Sequence, residues 1–213
     1  MNANRLQPNQ GFLVRWVVTS ALGLMTGFVV YFMSVVGLTA GQDFILRTLV
    51  SAVSGTILGA VVGGAQLFAL RSEVSGLNRW MMANLIGGAV GGVITLPIAD
   101  AVGNAAGFNM AVFAGSIVLG LSLGIAQTII LQNHLSVSVW WVLAHAVGIP
   151  LGWALGRGLG ESAYNLVVAG VGESMAEVIA TLILVILFFG GYGVITGGIL
   201  VRLLNRNSIN ERN

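Results

Sequence analysis

The chain has 213 residues, of which 56% are hydrophobic and 8% charged, with nine Lys/Arg against seven Asp/Glu for a formal net charge of +2. A soluble domain carries about 25% charged residues and about 7% glycine; here the mean hydropathy is +0.94 and 31 residues are glycine, so the surface must face lipid. That hydrophobicity excludes disorder, the lack of cysteine excludes a disulfide scaffold, and the lack of any basic run excludes nucleic-acid binding.

A hydrocarbon layer of roughly 30 Å takes about 20 helical residues, and six stretches qualify. After a polar tail, 1–12, the first span covers 13–38 and carries Trp16, Ser20, Gly23 and Gly27. It is too long for a signal-peptide core and no A-x-A site follows, so it is expected to be retained as a helix. The second, 48–70, holds Gly55, Gly59, Gly63 and then Gln66; the third, 80–99, runs from Trp80 through Asn84, Gly87 and Gly91. The fourth, 108–131, carries Gly120, Gly124 and Gln127. The fifth, 139–157, begins with Trp140 and Trp141 and continues through His145, Gly148, Pro150, Gly152 and Gly156, with a kink expected at Pro150. The sixth, 176–201, contains Gly193, Thr196 and Gly197, and a second polar tail covers 205–213. The predicted fold is an all-α integral membrane domain over 13–204.

Charge sets the expected orientation. The odd-to-even loops hold Arg47 and Arg157 against Asp43, Asp100, Glu161, Glu173 and Glu177. The termini and the even-to-odd loops hold Arg5, Arg15, Arg71, Arg79, Arg202, Arg206 and Arg212 against Glu73 and Glu211. An arginine excess marks the cytoplasmic face, which places both termini there, and Trp16, Trp80, Trp140 and Trp141 are expected to anchor that interface, with Trp153 near the other. Asp43 with Arg47, and Arg157 with Glu161, are spaced for i to i+4 pairs. The longest loop, 158–175, is expected to be solvated or to lie on the membrane surface.

Residues 55–94 align without a gap on 116–155, at an offset of 61, with eleven identities over forty positions: Leu58, Gly59, Gly63, Ala65, Gln66, Leu70, Ser75, Trp80, Ala83, Gly87 and Gly91. Composition alone gives about four. The unit reads G-x3-G-x-A-Q-x3-L, a short loop, then W-x2-A-[NH]-x2-G-x3-G. Its second half recurs as Trp16, Ser20, Gly23 and Gly27, and its first half as Gly193, Thr196 and Leu200. Three helical hairpins in a pseudo-threefold bundle are therefore expected, the third built from the last and first helices; a side-by-side row is the rival arrangement. Nearly the whole chain resembles a group of small, functionally uncharacterised bacterial polytopic membrane proteins with repeated glycine-spaced Q-x3-L-[RQ] and W-x6-G-x3-G hairpins. Where that group often has Trp directly after the Gln, this chain has Leu67 and Thr128. The resemblance implies a membrane location and no particular activity.

Glycines four residues apart let helices approach closely, so Gly23, Gly27, Gly59, Gly63, Gly87, Gly91, Gly120, Gly124, Gly148 and Gly152 are the expected packing positions. Ser20, Gln66, Asn84, Gln127, His145 and Thr196 form an expected polar layer about 6 to 8 Å inside the cytoplasmic interface. Each shares a helix face with packing glycines. The layer is either a clasp, with Gln66 bonded to Asn84 and Gln127 to His145 across each hairpin, or a binding ring for a small polar solute or proton. His145 is the titratable candidate for a proton relay; with His134 as the only other histidine and no cysteine, no metal ligand set is expected. The G-x-S-x-G of Gly120-Leu121-Ser122-Leu123-Gly124 falls inside an apolar helix rather than at a strand-to-helix elbow. A rhomboid-like intramembrane protease would need Gly at position 123 and a histidine in the sixth span, and neither is present. The expected function is thus a non-catalytic scaffold or accessory subunit in the cell membrane, inner or plasma, without cofactor. Its expected partners are lipids and other membrane protein subunits or further copies of the chain; a small-solute or proton transporter is the alternative.

Overall fold

The computed structural model describes residues 11–74, 77, 79–132 and 139–210, with side chains to residue 206. Ser75, its repeat mate Ser136, His134, Arg5, Glu211 and Arg212 lie outside the described residues. Among those described there are six α-helices and no strand: α1 (Phe12–Thr39), α2 (Phe44–Leu70), α3 (Trp80–Ala106), α4 (Phe108–Leu131), α5 (Val139–Val171) and α6 (Glu173–Asn210). All six are long and apolar enough to cross a membrane. Each packs against its neighbours in the chain, and α6 packs against α1. The first turn of α1 and the last turns of α6 therefore share one end of the bundle, called here the near end.

Three helices outrun the apolar stretches. α3 continues to Ala106, α5 to Val171, and α6 begins at Glu173, so the expected loop over 158–175 is helical on both sides of Gly172. Hydropathy marks where a chain leaves hydrocarbon, not where its helix stops. No proline lies between Arg157 and Gly172 to stop this one. The far-end reversals turn instead on glycines with positive φ: Gly41 (74°), Gly107 (84°) and Gly172 (83°). At Gly107 ψ is 174°, a region that essentially only glycine enters, and its amide donates back to the Gly103 carbonyl at 2.9 Å. Asp43 caps α2 by accepting from the Leu46 amide at 2.8 Å.

Arg47 does not pair with Asp43. Its guanidinium reaches across to Asp100 of α3, with N–O distances of 2.8 Å, because the Asp43 carboxylate is engaged at the helix end. Arg157 and Glu161 likewise form no ion pair. At the near end Arg15 of α1 donates to Glu73 (3.1 Å) and Ser72 (2.9 Å), tying α1 to the segment after α2.

Glycines form the contact surfaces. Within α2 and α3, a Cβ on Gly55 or Gly59 would overlap the carbonyl of Gly88 or Asn84, and one on Gly63 would stand 2.6 Å from Asn84 Cβ. Between α4 and α5, Gly120 faces the His145 carbonyl and Gly124 faces His145 Cβ at 3.0 Å. Between α6 and α1, Gly193 faces Val17 and Gly197 faces Trp16. A second set faces the following helix pair. Gly23 and Gly27 meet Ala65 and Leu58 of α2, Gly87 and Gly91 meet Ala126 and Leu119 of α4, and Gly148 and Gly152 meet Tyr192 and Phe188 of α6.

The tryptophans depart from the expectation of a lipid-facing anchor belt. Trp16, Trp80 and Trp141 are fully buried, while Trp140 is 62% exposed. Each buried ring sits one turn before a buried polar residue, Ser20, Asn84 or His145, and residues four apart share a face.

Gly59→Leu is expected to lower stability at or beyond the upper end of the ~1–3 kcal/mol typical of overpacking, whereas Val53→Leu on the lipid-facing surface is expected to be nearly neutral. Gly107→Ala should cost on the order of 1–3 kcal/mol through backbone strain alone. Unfolding midpoints in a denaturing-detergent titration check all three.

Candidate functional site

The six polar residues picked out in the sequence, Ser20, Gln66, Asn84, Gln127, His145 and Thr196, are all 0% exposed. They are brought to one level of the bundle, between two apolar clusters. Toward the near end lie Phe12, Trp16, Trp80, Trp141, Leu131 and Leu200. On the other side lie Leu24, Leu58, Leu123, Ile149 and Phe188.

The expected clasp across each hairpin does not form; the bonds run between hairpins instead. Gln127 Nε2 of α4 donates to Gln66 Oε1 of α2 at 2.9 Å and to Asn84 Oδ1 of α3 at 2.8 Å. Gln66 Nε2 donates in turn to Tyr192 Oη of α6 at 3.1 Å. Asn84 and His145 each turn one nitrogen back to their own helix. Asn84 Nδ2 donates to the Trp80 carbonyl at 2.9 Å, and His145 Nδ1 lies 3.0 Å from the Trp141 carbonyl. A carbonyl only accepts, so the neutral imidazole carries its proton on Nδ1 and presents a lone pair at Nε2. His145 is also held by ring contacts with Trp141 (4.7 Å) and Tyr192 (5.5 Å).

On the α6–α1 side, Trp16 Nε1 donates to Thr196 Oγ1 at 3.0 Å, and that hydroxyl donates to the Tyr192 carbonyl at 2.8 Å. Tyr192 is thus central to the layer and was missed in the sequence. Its signal was available: it precedes Thr196 by four residues and so shares its face. Five buried polar atoms of the layer and its tryptophan floor have no protein partner: Ser20 Oγ, Trp80 Nε1, Gln127 Oε1, Trp141 Nε1 and His145 Nε2.

The serine of G-x-S-x-G is not addressed by the histidine. Ser122 Oγ donates to the Val118 carbonyl at 3.0 Å and its residue lies against Gly87 and Gly91 of α3, while His145 lies against Gly120 and Gly124. Among the described residues no three His, Cys, Asp or Glu side chains gather closely enough to hold a metal ion. Among the described residues the protein is all-helical, with six helices long and apolar enough to cross a membrane; no family model, curated protein or solved structure matches the chain.

Gln127→Leu strips donors from two buried acceptors and is expected to cost about 1–2 kcal/mol, the upper range for such bonds in membranes. Gln66→Leu combined with Gln127→Leu should cost less than the two single changes summed, since they share a bond. A double-mutant cycle of unfolding free energies reads both.

Proposed function

We propose that the chain is a non-catalytic integral membrane protein that serves as a scaffold or accessory subunit of a membrane complex. The observation that carries this reading is the sealed polar layer: Gln66, Asn84, Gln127 and Tyr192 join the hairpins, and apolar clusters close the layer on both sides. Such an arrangement holds helices in register and gives a solute no open path. The proposed architecture is three hairpins, α2–α3, α4–α5 and α6–α1, about a pseudo-threefold axis. Its support is that Gly59 meets the Asn84 carbonyl as Gly120 meets the His145 carbonyl, that Asn84 and His145 each bond the carbonyl four residues before them, and that α6 packs against α1. The arginine excess at the near end supports cytoplasmic termini in an inner or plasma membrane. Lipids, and further subunits or copies of the chain, are the partners this reading implies.

A second reading, a component that passes a small polar solute or a proton, draws on the five unpartnered buried atoms. They offer donors and acceptors at one depth, and His145 Nε2 supplies a lone pair among them.

His145→Asn separates the two. Asn84 occupies the equivalent place and makes the equivalent bond to the carbonyl four residues before it, so Asn at 145 is expected to hold stability within about 1 kcal/mol of wild type. The scaffold reading predicts no pH-gradient-driven flux in proteoliposomes for either protein. A flux present in wild type and lost in the variant, which cannot titrate between pH 5 and 8, would replace it with the transport reading. For the topology, a cysteine at Ala40 should react with a membrane-impermeant maleimide from outside intact cells and one at Arg71 should not.

A further inference from the structure

A cavity of about 480 Å³ opens in the far half of the bundle, within the range of about 300–1,000 Å³ typical of small-molecule sites. Its floor is formed by Leu24, Leu119 and Ile149, near the middle of the bundle. From there it follows α1 out to Thr39 and α4 out to Phe108. At 1.5 Å per residue those stretches are about 22 and 16 Å long, so the cavity is elongated along the helices. Phe28, Phe32 and Val35 line one side, and Leu96, Ala99 and Val112 the other. Where α1 and α4 face each other across it, the rings of Phe32 and Phe108 stand edge to face at 6.4 Å.

The polar residues in the walls do not make it polar, because their groups are already engaged. Thr95 donates to the Gly115 carbonyl at 3.2 Å, Ser116 to the Phe113 carbonyl at 2.8 Å, and Thr39 to the Val35 carbonyl. Tyr31 pairs with Ser51 at 2.8 Å. Water therefore finds little to bind, whereas hydrocarbon would recover dispersion contacts that the bare walls lack. The charged groups lining the cavity are confined to its rim, where Arg47 and Asp100 pair at 2.8 Å with their side chains 30% and 36% exposed. Asn104 stands exposed beside them.

We propose that this cavity holds one hydrocarbon chain of a zwitterionic phospholipid from the far-end leaflet, with the lipid phosphate beside Arg47 and its ammonium beside Asp100. One cation and one anion side by side match a headgroup that carries one of each. A purely anionic headgroup would meet the Asp100 carboxylate, and an uncharged amphiphile would leave both exposed charges without a new partner.

The test uses the full chain in nanodiscs of equal parts phosphatidylethanolamine and phosphatidylglycerol, with a trace of one or the other bearing a diazirine in its acyl chain. After irradiation, adducts are mapped by peptide mass spectrometry. The expected result is labelling concentrated at 28–36 and 108–119 with the ethanolamine probe. Ala99→Trp, which fills the cavity, should reduce it about tenfold, a difference of about 1.4 kcal/mol, while labelling around Leu182 and Ile186 on α6 is unchanged. Ala111→Trp serves if Ala99→Trp unfolds. Asp100→Asn should shift the preference toward the glycerol probe. Labelling spread evenly over all lipid-facing helices, or unaltered by the cavity-filling variants, overturns the site. Equal or stronger labelling by the glycerol probe in wild type overturns the headgroup assignment, as does exclusion of both probes by a co-purifying polypeptide.

Discussion

In hydrocarbon there is no hydrophobic force to press one helix against another, so association depends on how closely two backbones can approach. This chain takes that constraint to its limit. At Gly55 and Gly88 each backbone fills the space where the other residue's Cβ would stand, and one turn away the Ser51 carbonyl fills that space at Gly92. There the Ser51 hydroxyl adds a 2.8 Å bond to the Gly92 carbonyl. α3 carries glycines on two faces, with Gly88 and Gly92 against α2 and Gly87 and Gly91 against α4. It can therefore be gripped from both sides at once, and the order of helices around the bundle follows from which faces are bare.

Close approach brings the amides within reach. Gln127 donates to Gln66 and Asn84 together only because Gly87 lets α4 lie against α3 and because Gly63 leaves room for the Asn84 side chain. The polar layer is in this sense a product of the glycine packing rather than an independent glue. Each bond contributes modestly, since a polar side chain in an unfolded membrane state also finds partners. What the bonds add is registry: sliding one helix by a residue would leave buried amides facing alkane.

Much of this is legible in the sequence. The number of spans followed from apolar length, and the packing glycines and polar residues followed from their spacing, because a 3.6-residue period fixes which side chains share a face. The hydrogen-bond partners were not legible. Spacing predicts that Gln66 reaches Asn84 across its own hairpin, but Asn84 accepts from Gln127 of the next pair instead, and spacing along one helix says nothing about distance to the next pair. The tryptophans were misread because aromatic residues near a span end usually lie at the lipid interface. Trp16, Trp80 and Trp141 instead follow the inward face of the polar residue one turn later. The extent of α5 was missed because hydropathy reports solvent, and Gly172 alone ends the helix.

Those long helices bear on the membrane itself. At 1.5 Å per residue α4 measures about 36 Å, while α5 and α6 measure about 50 and 57 Å, against a hydrocarbon layer of roughly 30 Å. Leu166, in the far stretch of α5, is 82% exposed. The excess does not lengthen the apolar spans, because Arg157, Glu161 and Glu173 fall within it. Mismatch depends on apolar length and not on helix length, so the extra turns of the α5–α6 pair stand beyond the hydrocarbon at the far end. There Gly160 of α5 still lies against Ala180 of α6, so the pair stays packed past the membrane surface as a two-helix post on one side of the bundle.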